Sequence, residues 1–187
     1  MIEQKLALLG DLDYLRDDRL TLKGEFAGSI FGYELLLSEM HSDGVLDELD
    51  EVKLNALLSG LVFEPRKGDH PPRLSLTNER LLRGVERYHR IVRKKESKFR
   101  IFPYTRPAHF HLVPAIEAWT KGESFEKLFR LTTADEGELV RYFRMVIQLL
   151  RELAHAPHTS DRLRTTANRA REAMNRGVVD AERQLRV

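Results

Sequence analysis

The chain has 187 residues and no cysteine, with 42% hydrophobic and 32% charged residues, which is typical of a soluble globular protein and excludes disulfide bonds and thiolate metal sites. The sequence has neither an apolar run of about eighteen residues nor a signal-peptide pattern behind Met1, so we expect a cytoplasmic protein that does not cross a membrane. The net charge is +2, yet residues 1–64 carry fourteen acidic and five basic side chains, so the rest of the chain is strongly basic. A basic part of this size suits an anionic partner, or else the acidic part neutralises it within the molecule.

The acidic part, 1–64, predicts short helices around one extended element. A helix is expected over 1–9, and the stretch 20–27, LTLKGEFA, predicts a small hairpin around Gly24. A helix over 33–42 should end at Asp43-Gly44. Asp50 should cap the next helix, which is apolar almost all round and is therefore predicted to be central.

A polar linker is predicted over 65–77, and the basic part, 78–187, should be helical. Asn78 is expected to cap a helix that reaches about residue 99, with eight Lys and Arg around its apolar stripe. Shorter helices are predicted over 114–122 and 124–131, and a last helix from Ser160 or Asp161 to about 176. We therefore predict a single all-α domain over 1–187, a helical bundle with long central helices and a small N-terminal β-hairpin.

The stretch 133–155 predicts the helix around which the chain is organised. Its apolar side chains recur at steps of three and four, which requires one buried face; they are Leu139, Phe143, Val146, Leu150 and Leu153. Thr133 and Glu136 are predicted to form a capping box, and Pro157 should end the helix. A second row follows the same rhythm on another side and consists of Arg141, Arg144, Gln148, Arg151 and His155. Such a row can hold the backbone of a polyanion, although cationic rows are also common on solvated faces.

Signatures of enzymes and metal sites are missing. The sequence has no phosphate-binding loop, no dinucleotide-binding glycine turn and no nucleophile elbow. The pairs His109/His111 and His155/His158 lack acidic partners at a fixed spacing. We therefore expect no cofactor, no metal and no ATPase activity in this chain.

The order of several segments resembles the DSHCT domain, the C-terminal helical domain of superkiller-type and exosome-associated DExH-box RNA helicases, including HelY-like bacterial enzymes. Residues 20–27 and 34–40 (ELLLSEM) are similar to the block "KGR-A…ELLLTE", and 57–64 (LLSGLVFE) is similar to "LLS-FVF-E". The stretches WTKGESF, EGELVR and QLLR resemble "W…G-SF", "EG-LVR" and "QLLRQ". The resemblance covers nearly the whole chain and is specific as a combined pattern.

This resemblance implies a function and a set of site residues. In the family the domain follows two motor domains, and its long "ratchet" helix faces the single strand that leaves them. The residues that would touch RNA are Arg141, Arg144, Gln148 and Arg151, with Glu39 facing the same channel. The family's closing Arg-Asp is not kept, because Gly177 follows Arg176 here.

We expect an accessory module that guides single-stranded RNA or DNA for helicase motor domains, in cis or in trans. Tyr142 could add base stacking. Two alternatives stay open at this point. The chain could be a protein-interaction module whose basic helix docks on an acidic partner, or a winged-helix-like DNA binder that uses 20–27 as its wing.

Overall fold

The computed structural model describes residues 2–180 and consists mainly of helices. Within that range it contains nine α-helices, two very short strands and three 3₁₀ turns. In chain order they are α1 (Ile2–Asp11), β1 (Leu15–Arg16), β2 (Arg19–Leu20), α2 (Leu22–Ala27), α3 (Glu34–Ser42), a turn (Val45–Glu48), α4 (Glu51–Val62), α5 (Leu76–Lys98), a turn (Phe110–Leu112), α6 (Val113–Thr120), α7 (Phe125–Leu128), α8 (Glu136–His155), α9 (Asp161–Met174) and a turn (Gly177–Val179). The prediction of an all-α bundle with long helices and a small N-terminal hairpin is confirmed.

Helix α4 lies at the centre of the bundle, as its nearly uniform apolar surface predicts. Asp50 caps it, accepting a hydrogen bond from the Lys53 amide at 2.8 Å, and α5, α6, α8 and α9 all pack against it. Gly60 allows close packing here, because a β-carbon at this position would come within 2.4 Å of the Phe110 ring. The buried Asn55 is satisfied in part by Thr120 Oγ1 at 3.0 Å and the Ala170 carbonyl at 3.3 Å. One core thus joins helices from both the acidic and the basic parts.

A separate small core lies at the N-terminus. Leu8, Leu12 and Tyr14 form it, and side chains of α3 and of the segment that follows α5 pack on them. Asp11 accepts ion pairs from Lys95 and from Lys98, the latter at 2.6 Å, which ties α1 to the end of α5. These pairs lower the pKa of Asp11. Acidic and basic parts therefore neutralise each other at this contact.

The hairpin lies earlier in the chain than predicted. Leu15 pairs with Leu20 and Arg16 with Arg19, whereas residues 22–27 form α2. Thr21 caps α2, since its hydroxyl accepts from the Gly24 amide at 3.1 Å. Gly24 is required by close packing and not by a turn, because a β-carbon there would lie 2.2 Å from the Tyr14 carbonyl oxygen. The wing assigned to 20–27 is therefore wrong.

Two predicted helix starts also shift. The capping box of α8 is formed by Asp135 and Glu138 and not by Thr133 and Glu136: the Asp135 carboxylate accepts from the Glu138 amide at 2.8 Å, and the Glu138 carboxylate accepts from the Asp135 amide at 3.2 Å. Similarly, Ser75 caps α5 three residues before Asn78, which is buried. A side-chain acceptor on the residue directly before the first helical residue decides each start. Helix α9 ends at Met174, two residues before the predicted end.

Candidate nucleic-acid interface

Helix α8 separates an apolar face from a cationic one. The predicted stripe is fully buried, with Leu139, Phe143, Val146, Leu150 and Leu153 all at 0% exposure. The other side carries the outer row of α8, which we define as Arg141, Arg144, Gln148, Arg151 and His155. Arg144 is half-buried and the other four are exposed. With 1.5 Å of rise per residue, the row from Arg141 to Arg151 extends about 15 Å along the helix.

Two guanidinium groups of this row are available to a ligand. Neither Arg141 nor Arg151 has an acidic partner within ion-pair distance in residues 2–180. Arg141 lies over the neighbouring Tyr142 ring, 4.2 Å from its centroid, and the Arg151 carbonyl lies 2.8 Å from His155 Nδ1. Both side chains therefore present charge to solvent from a rigid helix.

Arg144 differs from its neighbours in the row. Its Nε donates to the Val179 carbonyl at 3.1 Å and so links α8 to the last described turn. Its charge lies in the same row, but its geometry is fixed by this contact.

Glu39 on α3 is engaged in contacts inside the molecule. Its Oε1 accepts from the Tyr14 hydroxyl and from Lys23 Nζ, both at 2.7 Å, and its side chain is only 15% exposed. Burial, together with the nearby Glu39 charge, raises the pKa of Tyr14 well above its usual range, so the phenol remains a hydrogen-bond donor. The contacts of Glu39 thus join α3 to the N-terminal core.

The stacking role considered for Tyr142 is wrong, because the ring is buried. Its exposure is 3%, its ring lies 5.2 Å from that of Phe63, and its hydroxyl accepts from the Glu64 amide at 3.4 Å. A ring in this position cannot receive a base. Tyr142 lies at the edge of the apolar stripe of α8. The spacing of the stripe alone does not show whether a side chain at that edge is buried or exposed.

An open cavity of about 750 Å³ adjoins the outer row of α8. Gln148 belongs to both, since it stands in the row and lines the cavity. Aromatic and apolar side chains supply much of the rest of the lining, among them Phe31, Tyr33, Leu35, Tyr104, Met145 and Leu149. Gln148 Nε2 donates to Glu152 Oε1 at 3.1 Å, which fixes the amide at the rim.

Phe31 stands at the mouth of this cavity with 85% of its surface exposed. The other oxygen of Glu152 accepts from the Phe31 amide at 3.0 Å, so α8 itself holds the backbone from which the ring projects. Gly32 follows with φ of +85°, a left-handed conformation that favours glycine. Phe31 is not among the residues predicted from the sequence, although an aromatic residue before a glycine in a short interhelical segment is a usable signal.

Two histidines of the segment before α6 lie near each other in half-buried positions. His109 and His111 have ring centroids 6.0 Å apart, and burial lowers the pKa of both. Across residues 2–180, no three His, Asp or Glu side chains come together as metal ligands. In the same range, no helix has the length and apolarity needed to span a membrane.

Comparison with known proteins identifies relatives along nearly the whole chain. Residues 17–182 match the family model described as the DSHCT (NUC185) domain. The chain is 28% identical to the antiviral helicase SKI2 of Saccharomyces cerevisiae over 192 residues, which covers 96% of this chain and 15% of that protein. It is 31% identical over 163 residues to superkiller complex protein 2 of Homo sapiens, covering 82% and 13% respectively. The ATP-dependent RNA helicase mtr4 of Schizosaccharomyces pombe is 31% identical over 145 residues, covering 75% and 13%. The chain thus spans about one seventh of the length of these relatives.

Proposed function

This chain belongs to the DSHCT (NUC185) domain family, and we propose that it serves as the C-terminal accessory domain of a superkiller-type ATP-dependent RNA helicase and holds a single RNA strand along α8. The motor domains, in cis or in trans, would supply ATP hydrolysis, since this chain has no phosphate-binding loop. Several relatives carry the words RNA helicase in their names.

The observation that carries this proposal is the outer row of α8 beside an aromatic cavity. Arg141 and Arg151 offer guanidinium groups about 15 Å apart along the helix, so they can contact two different, non-adjacent phosphates of one extended strand. A cationic track alone binds any polyanion. A cationic track next to an exposed aromatic ring favours a single strand, because only unpaired bases are free to turn away from their neighbours and stack on the ring.

In this proposal the strand lies with its phosphates on the outer row and its bases toward the cavity. Phe31 provides the stacking surface, and Gln148 contacts a base or sugar at the rim. The apolar lining accepts any of the four bases, because stacking on an aromatic ring depends little on base identity. We therefore expect weak sequence preference.

Two of the proposed contact residues also have structural roles. Arg144 adds charge to the row while it holds the Val179 turn. Glu39 acts on the strand indirectly, as a positioning residue, because its carboxylate is paired with Lys23 and Tyr14. Direct contact between Glu39 and RNA would require this carboxylate to leave a cation 2.7 Å away.

Fluorescence anisotropy with a labelled single-stranded RNA of about twelve nucleotides tests the proposal. The unmodified chain should bind in the micromolar range or more weakly, with a log–log salt slope of roughly −0.7 per neutralised phosphate. The double variant Arg141→Gln/Arg151→Gln should weaken binding about tenfold at low salt and reduce the slope by about 1.4. Its melting temperature should be unchanged, because both side chains are exposed and lack acidic partners.

A matched control removes the same charge elsewhere. Lys121 and Arg162 are exposed cations outside the outer row of α8, and the variant Lys121→Gln/Arg162→Gln has the same net charge as the test variant. Equal loss of RNA affinity in both variants would mean that only net charge matters, and the proposal would then fail. Phe31→Ser should weaken binding without changing the salt slope, which separates stacking from phosphate contact.

A further inference from the structure

A second cationic row lies on α5 and faces away from the core. We define the outer row of α5 as Arg80, Arg83, Arg87, Arg90, Lys94 and Lys98, which follow one another at steps of three and four residues. All six are exposed, whereas Val85, Tyr88 and Val92 on the opposite side are buried. The row extends roughly 27 Å along the helix.

Most of this charge is left without an acidic partner. Arg83 lies 3.6 Å from Glu79, and Lys98 pairs with Asp11. The remaining four cations of the row have no carboxylate within ion-pair distance in the described part of the chain; they are Arg80, Arg87, Arg90 and Lys94. A surface row that only served solubility would gain from interspersed acids, since like charges at i, i+4 destabilise a helix.

Gly84 lies in the middle of α5 beside this row, and no packing contact inside the protein requires a glycine there. A glycine in a helix interior is less favourable than alanine, because it loses more backbone freedom on folding. A β-carbon at Gly84 would meet no atom within 4 Å, so packing inside the protein does not demand the glycine. Gly84 also lines an open depression of about 460 Å³ together with Arg87, Tyr88, Val45 and Asp43. A missing side chain beside unpaired cations permits the close approach of an external backbone.

The chemistry of the row favours a duplex over a single strand. The single aromatic residue of α5, Tyr88, is 6% exposed, and its hydroxyl donates to Asp43 Oδ2 at 2.7 Å. The row therefore offers no stacking surface of the kind that Phe31 provides beside α8. A ligand held only through its backbone is one whose bases are already stacked, as in a double helix.

We propose that the outer row of α5 binds the sugar–phosphate backbone of double-stranded RNA, with Gly84 at the point of closest approach. This site is separate from the outer row of α8: both helices pack on α4, and the residues of the two outer rows lie on the sides opposite to their buried faces. The protein thereby has one surface for paired and another for unpaired nucleic acid.

Binding of a blunt RNA duplex of about eighteen base pairs to the 187-residue chain tests the proposal. The triple variant Arg80→Gln/Arg87→Gln/Lys94→Gln should lose at least tenfold in duplex affinity at low salt, and its log–log salt slope should become shallower by about 2 to 3. A charge-matched control, Lys121→Gln/Arg130→Gln/Arg162→Gln, should retain most of the affinity. Equal losses in the two triple variants would overturn the proposal.

Gly84 provides a test that does not change charge. Gly84→Gln should keep or raise the melting temperature, because glutamine favours the helix and meets open space. The same variant should lower duplex affinity at least fivefold by filling the depression. Undiminished duplex affinity in Gly84→Gln would overturn the assigned point of approach.

Two further experiments distinguish duplex binding on α5 from strand binding on α8 and from binding of an acidic protein. Arg141→Gln/Arg151→Gln should weaken single-strand binding and leave duplex binding intact. The two proposals can therefore fail independently of each other. Polyglutamate should compete with the duplex poorly at equal charge concentration. Competition as strong as that by unlabelled duplex would assign the row to an acidic protein instead.

Discussion

Helices α5 and α8 are built alike, with an apolar face toward α4 and a row of cations outside, yet their surroundings differ. The outer row of α8 borders a cavity with the exposed ring of Phe31, whereas the outer row of α5 borders a depression at Gly84. The two rows have similar spacing, so the periodicity of arginines alone does not define a ligand. The neighbouring side chains, which come from distant parts of the chain, distinguish the two surfaces.

The largest difference between the two helices should appear in stability. Phe143→Ala in α8 should lower the free energy of unfolding by about 3 to 5 kcal/mol, because the ring is fully buried between Trp119 and the rest of the core. Val92→Ala in α5 removes only two buried methyl groups and should cost about 2 kcal/mol. Urea unfolding measures both values. Equal losses would contradict the expectation that the larger of these two fully buried side chains contributes more to stability.

The buried faces of the helices could largely be predicted from the sequence. The apolar steps from Leu139 to Leu153 correctly identified the buried face of α8, and the apolar surface of 51–62 correctly predicted a central helix. These predictions succeed because burial on one face imposes a helical period that is local in the sequence.

Other features could not be derived from local patterns. The turn at Gly24 was predicted from its residue type, but this glycine is required by the carbonyl of Tyr14, ten residues away. Tyr142 was predicted to be exposed, and only the contacts with Phe63 and Glu64 decide that it is not. The cavity beside α8 brings together segments from α1 to α8, so no single stretch of sequence indicates it.

A smaller effect should separate the members of the outer row of α8. Arg144→Gln should lower stability by about 1 kcal/mol, since the guanidinium bond to the Val179 carbonyl is lost. Arg141→Gln and Arg151→Gln should each stay within about 0.5 kcal/mol of the unmodified chain. Thermal unfolding of the three single variants provides the comparison. A larger loss for Arg141→Gln than for Arg144→Gln would contradict the assigned contacts.

The pH dependence should distinguish the core from both cationic rows. Burial lowers the pKa of His41, His109 and His111. At these three histidines the unfolded chain takes up protons as the pH falls through about 6.5, whereas the folded chain takes them up only at lower pH. Their contribution to stability is therefore fully present above this pH and is lost as the pH falls toward the folded-state values. The Arg and Lys charges of the rows stay constant over the same interval.

Melting temperature and RNA affinity should therefore respond differently between pH 8 and pH 6. The melting temperature should fall, and His41→Asn should reduce the slope of that fall. Duplex affinity measured well below the melting temperature should stay nearly constant, because the outer row of α5 contains only Arg and Lys. A melting temperature that rises on acidification would contradict the direction of the three pKa shifts.

The most direct measurement of the central claim is a nuclear magnetic resonance titration of the ¹⁵N-labelled chain with single-stranded RNA. We expect shifts at the Gln148 side-chain amide and at the backbone amides of Phe31 and Arg151, with little change at Gly84. Titration with duplex RNA should reverse this pattern and move Gly84 and its neighbours on α5 first. Single-strand shifts that are confined to α5, or that leave Gln148 and Phe31 unmoved at saturation, would contradict the assignment of α8 to the strand.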